Sequence, residues 1–172
     1  MKKIIAFLVL ALSISAFAET KDDRAYIVKV GDKAPDFSMK LTDGKTVKLS
    51  DLRGKVVMLQ FTASWCSVCR KEMPFIERDI WQKHKTNRNF ALMAIDRDEP
   101  QATVLKFVKV TGITYPIGLD PKADIFVLYA LREAGITRNV IIDKTGRIVM
   151  LTRLYDEVEF KRMTKLIDSM LN

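Results

Sequence analysis

The chain has 172 residues, of which 48% are hydrophobic and 29% are charged, and its formal net charge is +8. This length suits one domain with its own hydrophobic core. The basic residues are scattered and do not form the stripe with interleaved aromatic residues that is typical of nucleic-acid binding. We therefore expect a globular domain with a solvated basic surface and no nucleic-acid partner.

The first 18 residues have the pattern of a secretory signal peptide. Two lysines precede an apolar run over 4–12, and an Ala-x-Ala cleavage site follows at 16–18. The run is shorter than the roughly 20 residues that span a bilayer, which argues against an uncleaved anchor. We predict cleavage after Ala18, a periplasmic or otherwise exported protein without stable membrane insertion, a lead-in over 19–30, and one domain over 31–172.

The first predicted elements are a β-hairpin and a buried strand. The lead-in becomes extended at 26–28, and the Asp-Gly pair at 43–44 is a strong turn signal between strand-like stretches at 38–41 and 46–49. The run over 55–61 is apolar on both faces, as in a central strand that is covered on both sides.

Helical spacing over 67–84 predicts a helix directly after this strand, with Pro74 expected to kink it. The next stretches predict a strand over 90–95 ending at Asp96, a helix over 100–110, a short extended piece over 115–119 and a helix over 122–131.

The end of the chain predicts a second hairpin and a last helix. Strands over 140–143 and 147–152 flank a turn at 144–146, and Asp156 with Glu159 forms a capping box for the final helix. Two strands joined through a helix imply a right-handed parallel crossover, whereas the hairpins add antiparallel strands. The fold class is therefore α/β, with one mixed central sheet flanked by helices.

The two cysteines, Cys66 and Cys69, lie at the predicted junction between strand and helix. A disulfide between them closes only a very short loop and adds little stability. A role in redox chemistry therefore explains the pair better than a role as a stabilising cross-link. The start of a helix favours a thiolate, and the thiolate is the attacking species in disulfide exchange. We predict that Cys66 attacks a substrate disulfide and that Cys69 then resolves the mixed disulfide.

A structural zinc site is an alternative use of the cysteines. Such a site needs four nitrogen or sulfur ligands, whereas the chain offers two cysteines and His84. His84 lies between two lysines at a polar helix end, where we expect it to face solvent. We predict no metal site and no cofactor.

At this point the sequence resembles the TlpA/ResA-like branch of the thioredoxin superfamily. The matching stretches are Gly31 to Phe37, Asp43-Gly44, Leu49 to Val57, Phe61 to Cys66 and the later Asp143 to Ile148. The resemblance implies a thioredoxin-like fold with an N-terminal β-hairpin and a central αβ insertion. It also implies an exported disulfide reductase that acts on proteins with disulfides or thiols and receives electrons from a membrane-bound donor.

The resemblance also assigns tuning or substrate-facing roles near the cysteines. Glu72 matches the family's active-site acid. Alternatively, it is an ordinary exposed glutamate in the first turn of the helix, where the helix dipole favours a negative charge. Trp65 matches the tryptophan beside the thiol, and it could also be a packing aromatic residue, since both descriptions can hold together. Both alternatives stay open at this point.

The chain departs from the family at Thr137, which occupies the position of the usual cis-proline. A cis bond before a residue other than proline costs several kcal/mol, so we expect a trans bond there and an altered substrate-facing backbone. Arg138 could place a positive charge near the thiols, although a surface arginine is the simpler interpretation.

Two other functions remain as alternatives. A peroxiredoxin-like peroxidase would use a Thr-x-x-Cys motif with an arginine, but here Thr62 precedes Cys66 by four positions and the Cys-x-x-Cys pair is intact. A non-catalytic metal-binding or cytochrome-binding module on the same fold is the second alternative.

Overall fold

The computed structural model describes residues 24–172, so the predicted signal peptide lies outside the described residues. The strands are β1 Ser38–Leu41, β2 Thr46–Lys48, β3 Val56–Thr62, β4 Phe90–Arg97, β5 Ile117–Asp120, β6 Arg138–Ile142 and β7 Ile148–Arg153. They form one sheet in the order β2-β1-β5-β4-β3-β6-β7. The predicted mixed central sheet and thioredoxin-like arrangement are confirmed.

Helices connect these strands. They are α1 Ser67–Ile76, a π-helical turn Glu77–Trp81, α2 Gln82–His84, α3 Gln101–Thr111 and α4 Glu157–Leu171, with 3-10 turns at Leu49–Leu52 and Phe126–Leu128. Within residues 24–172, no helix is both long and apolar enough to cross a membrane.

Strand β3 is the centre of the molecule, and all seven of its residues are buried. It pairs in parallel with β4 and antiparallel with β6. A strand that is buried on both faces has a continuous apolar sequence, and this is why the position of β3 could be predicted. Its C-terminal end at Thr62 leads directly towards the cysteines.

The N-terminal hairpin and the central insertion both occur as the family resemblance implies. Strands β1 and β2 pair antiparallel, and Gly44 has the positive φ of 88° that the turn requires. The inserted unit is α3 followed by β5, which lies between β4 and β1 in the sheet. The hairpin therefore extends the sheet through β5.

The helix predicted over 67–84 is present, and its regular α-helical pattern is disturbed just after Pro74, where a kink was expected. Pro74 lies inside α1 and donates no backbone N–H, and a π-helical turn begins three residues later at Glu77. Such turns occur where the regular hydrogen-bond ladder of an α-helix is disturbed.

The helix predicted over 122–131 is wrong, since the structure has only a 3-10 turn at Phe126–Leu128. Ala123 adopts a left-handed conformation with φ of 58°, which an α-helix does not tolerate. In addition, the Asp120 carboxylate accepts the backbone N–H groups of Ile125 (3.1 Å) and Phe126 (2.8 Å). These bonds replace the helical ones.

The end of the chain confirms one local prediction and corrects another. Asp156 caps α4 by accepting the N–H of Glu159 at 2.8 Å, as the capping box predicts. His84, by contrast, does not face solvent. Its Nε2 lies 2.7 Å from Asp168 Oδ1, and only 11% of its side chain is exposed. The partner lies 84 positions away on α4, beyond the reach of a local pattern.

Candidate active site

Cys66 and Cys69 form a disulfide where β3 gives way to α1. Cys66 is the N-cap residue of α1, and its Sγ accepts the backbone N–H of Cys69 at 3.2 Å. Cys66 keeps 7% of its surface exposed, whereas Cys69 is fully buried. Both residues are buried, and Cys66 is the more accessible of the two.

The position of Cys66 explains its chemistry. The first backbone N–H groups of a helix have no partners within the helix and lie at its positive end. In the oxidised protein one of these groups already points at Cys66 Sγ. After reduction, the same donor and the same dipole would stabilise a thiolate at this sulfur.

Thr137 lies opposite the disulfide, directly before β6. Its Oγ1 is 3.0 Å from Cys66 Sγ and 3.2 Å from Cys69 Sγ, and the residue is 2% exposed. No cis peptide bond occurs between residues 24 and 172, so the expected trans bond before Thr137 is confirmed. A side-chain hydroxyl thus faces the disulfide from the position where the family has a proline ring.

Glu72 lies one helical turn beyond Cys69 and is buried, with 2% of its surface exposed, so its interpretation as an ordinary exposed glutamate is wrong. Asn139 Nδ2 donates to its Oε1 at 2.8 Å, and Gln60 Nε2 donates to its Oε2 at 3.5 Å. Burial raises the pKa of Glu72 to about 7, although these two amides oppose the rise.

The polar residues that surround Glu72 were missed from the sequence. Gln60 also accepts the Tyr115 hydroxyl at 2.8 Å, and Asn139 Nδ2 also donates to Thr152 Oγ1 at 2.9 Å. A signal existed, because Gln60 and Asn139 are isolated amides inside otherwise apolar strands. A buried polar residue in a central strand must find a partner.

A second buried acidic group supports the loop that precedes Cys66. Glu99 accepts the Ser64 backbone N–H at 2.5 Å and the Ser64 hydroxyl at 2.6 Å. Asp96, at the end of β4, has no exposed surface. Burial first, and then the neighbouring Glu99 charge, raise the pKa of Asp96 to about 8. From the sequence, the strand was predicted to end at Asp96, but the contact of Glu99 with Ser64 in the loop before Cys66 was not predicted.

Trp65 and Arg138 occupy opposite environments. Trp65 is 62% exposed beside Cys66, so its interpretation as a packing residue is wrong. Arg138 has no exposed surface, so its interpretation as a surface residue is wrong too. Its guanidinium lies 4.4 Å from the Tyr26 ring centroid, and its Nε donates to Gly135 O at 2.8 Å. Thr137 thus contacts the two sulfurs, whereas the Arg138 side chain contacts Tyr26 and the Gly135 carbonyl.

Between residues 24 and 172 no group of three or more histidine, cysteine, aspartate or glutamate residues is arranged to hold a metal ion.

Comparison with known families agrees with this geometry. The model of the Redoxin family matches residues 29–167. The chain belongs to the Redoxin family. This match spans the hairpin, both cysteines and most of α4, so the Redoxin assignment covers nearly the whole described domain.

Relatives of this Redoxin chain refine the assignment. It is 33% identical over 122 residues to the thiol-disulfide oxidoreductase ResA of Bacillus cereus, covering 71% of this chain and 68% of the relative. It is 36% identical over 132 residues to the ResA of Oceanobacillus iheyensis, covering 74% and 67%. The resemblance to the ResA-like branch is confirmed.

Solved structures agree with the fold. A candidate protein disulfide isomerase from Bacteroides thetaiotaomicron is 69% identical with a TM-score of 0.84, covering 86% of this chain and 92% of that one. A candidate thiol:disulfide interchange protein DsbE from Chlorobium tepidum is 29% identical with a TM-score of 0.74, covering 84% and 99%. Family, fold and the Cys66–Cys69 pair together make this chain a thiol-disulfide oxidoreductase.

Proposed function

We propose that this Redoxin chain is an exported reductase of protein disulfides that works through a mixed disulfide on Cys66. The observation that carries the proposal is the asymmetry of the two sulfurs. Cys66 is the N-cap of α1, keeps 7% of its surface exposed and receives a backbone N–H, whereas Cys69 has no exposed surface. One sulfur is placed to attack and the other to displace.

The reaction begins from the reduced protein. The Cys66 thiolate attacks one sulfur of the substrate disulfide, that bond breaks, and the released substrate sulfur leaves as a thiolate and takes up a proton. Cys69 then attacks Cys66 Sγ, which forms the internal disulfide and releases the second substrate sulfur. Two electrons pass from the cysteine pair to the substrate, and the cycle needs a reductant to restore the pair.

Glu72 is the proposed proton acceptor for Cys69. It lies one helical turn away in a buried setting, and its pKa of about 7 lets it hold or release a proton near neutral pH. The amides of Gln60 and Asn139 each donate to one carboxyl oxygen and orient the charged form.

Trp65 and Arg138 complete the proposed site in different ways. The exposed Trp65 ring offers an apolar surface beside Cys66 on which substrate can pack. Arg138 is a positioning residue, because its bond to Gly135 O closes the turn that carries Thr137 towards the sulfurs. Thr137 is the proposed substrate-facing residue opposite the disulfide.

The proposed partners follow from this chemistry and from the relatives. Substrates are proteins with accessible disulfides or thiols, and re-reduction comes from a membrane-bound electron donor on the same side of the membrane. Export rests on the pattern of the first 18 residues. Measuring the reduction potential tests the direction of electron flow, because a value like that of the strong oxidant DsbA, about −120 mV, would contradict a reductase.

Trapping tests the mechanism. A Cys69→Ser variant should accumulate substrates as mixed disulfides on Cys66, since nothing then displaces them. The matched control is Cys66→Ser, which keeps one cysteine but should trap nothing. Equal trapping by both variants, or trapping by Cys66→Ser alone, would contradict the assigned roles.

The alternative functions have less support. In a peroxidase of the Thr-x-x-Cys kind the threonine would contact the attacking cysteine, but Thr62 Oγ1 contacts Met73 Sδ at 3.7 Å. Rapid consumption of hydroperoxide by the purified protein would nevertheless favour that function. A non-catalytic binding module would gain support if Cys66→Ser left the activity in cells unchanged.

A further inference from the structure

The Thr137 hydroxyl is the polar group that touches both reacting sulfurs. Its Oγ1 lies 3.0 Å from Cys66 Sγ and 3.2 Å from Cys69 Sγ, and the side chain is almost fully buried. In the oxidised protein the disulfide sulfurs carry no proton, so the Thr137 hydroxyl is the only possible donor in these contacts. In the reduced protein the direction of each hydrogen bond depends on which sulfur carries a proton.

A hydroxyl has one proton to donate and lone pairs with which to accept. Placed between a thiolate and a thiol, it satisfies both when its own proton points to the thiolate and the thiol proton points to its oxygen. The reverse arrangement needs the thiolate at Cys69. That sulfur is fully buried and lies farther into the helix than the N-cap, so a charge there is less favourable.

We propose that the Thr137 hydroxyl is a catalytic residue that fixes the division of labour, holding Cys66 as the thiolate and Cys69 as the thiol in the reduced protein. The inference rests on the proposed function, in which Cys66 attacks and Cys69 resolves. The inference adds that the Thr137 hydroxyl determines which of the two cysteines is ionised. A proline at this position has no hydroxyl and could not do so.

The backbone around Thr137 is organised for this task. The N–H of Leu154 donates to Thr137 O at 3.1 Å, and Leu154 holds a left-handed conformation with φ of 64°. Strand β6 begins at the next residue and pairs with β3 and β7. Donors that are fixed before the reaction stabilise developing charge without the cost of reorganisation.

The test compares variants of the reduced protein. Thr137→Val keeps the shape and removes the hydroxyl, Thr137→Ser keeps the hydroxyl, and Thr62→Val removes another buried hydroxyl, from the end of β3, that contacts Met73 Sδ. Thiolate absorbance at 240 nm against pH reports the pKa of Cys66. Because Glu72 titrates in the same range, all variants keep Glu72.

We expect Thr137→Val to raise the pKa of Cys66 by about 1 to 2, the loss expected for one hydrogen bond to a charged group. Its rate of reaction with a small disulfide at pH 6 should fall about three- to tenfold, because fewer molecules carry the thiolate and the higher intrinsic nucleophilicity of a more basic thiolate offsets only part of that loss. Thr137→Ser should restore both values, and Thr62→Val should leave the pKa of Cys66 unchanged.

The outcomes separate the two proposals. If the wild-type pKa of Cys66 is low and Thr137→Val leaves it unchanged, the hydroxyl has no such role and the proposed function stands. The role of the hydroxyl is also excluded if Thr62→Val raises this pKa as much as Thr137→Val does. If the wild-type Cys66 titrates like a free thiol, near pH 8.5, the proposed function itself fails. Circular dichroism of each oxidised variant confirms that it folds.

Discussion

Two buried carboxyl groups, those of Glu72 and Asp96, differ in the groups that surround them. Glu72 on α1 receives hydrogen bonds from two amides, so its charged form has partners. Asp96 at the end of β4 faces another carboxylate, Glu99, so its charged form is repelled. The comparison teaches that burial alone does not decide function. Burial raises both pKa values, but the amide partners limit the rise for Glu72 to about 7, whereas the Glu99 charge adds to the rise for Asp96, to about 8.

The largest expected effect concerns Asp96. Its pKa rises from 3.8 to about 8 on folding, so the folded protein holds a proton that the unfolded chain has released. The free energy of unfolding should therefore fall as pH rises from about 4 to 8, by a total on the order of 5 kcal/mol. Asp96→Asn should remove this fall.

Urea unfolding of the oxidised protein at pH 5 and pH 9 measures the contribution of Asp96, with Asp98→Asn as a control at an exposed neighbour. The difference between the two pH values should shrink in Asp96→Asn and persist in Asp98→Asn. If both variants behave like the wild type, Asp96 does not hold its proton in the folded protein, and the contrast with Glu72 is lost.

Glu72 should produce a smaller effect in a lower pH range. Its pKa rises from 4.5 to about 7, so the free energy of unfolding should fall by about 3 kcal/mol between pH 4.5 and pH 7. Glu72→Gln should remove this dependence and slow the resolving step, because Cys69 loses its proton acceptor. Stopped-flow reduction of a mixed disulfide against pH measures the step, and an unchanged pH profile would remove Glu72 from the mechanism.

The two amides that donate to Glu72 should lower its pKa by different amounts. Asn139 donates at 2.8 Å and Gln60 at 3.5 Å, so Asn139 stabilises the Glu72 carboxylate more. Asn139→Leu should raise the pKa of Glu72 by about 1, and Gln60→Leu should raise it less. Carbon-13 NMR of the Glu72 carboxyl group measures both. The reverse order of effects would contradict the assigned hydrogen bonds.

Trp65 should have the smallest effect on stability. Since its ring is 62% exposed, Trp65→Ala should change the free energy of unfolding by less than about 0.5 kcal/mol. Reduction of a protein disulfide should nevertheless slow several-fold, while reduction of a small disulfide stays near the wild-type rate. Equal slowing with both substrates would argue against a docking role.

The sequence predicted the features that depend on neighbours along the chain. The Asp-Gly turn, the apolar run of β3, the capping box at Asp156 and the Cys66–Cys69 pair all follow local rules. The disturbance that Pro74 causes in the helix after the cysteines also followed from a local rule. The absent helix over 122–131 did not, because it depends on hydrogen bonds to the Asp120 side chain that helix propensity does not show.

Within the site, the missing information concerns distance along the chain. Thr137 meets cysteines 71 and 68 positions away, and Glu72 meets Asn139 across 67 positions. The sequence placed Thr137 at the position of the family's usual cis-proline. It could not show that the Thr137 hydroxyl contacts both sulfurs. Such contacts are created by the pairing of β3 with β6.

The central claim is that Cys66 is the ionised, attacking sulfur. Iodoacetamide labelling of the reduced wild-type protein across pH, with the modified cysteine located by mass spectrometry, tests it most directly. We expect Cys66 to be labelled first, with a midpoint well below the value of about 8.5 for a free thiol. Labelling of Cys69 first, or a Cys66 midpoint at or above that value, would contradict the account.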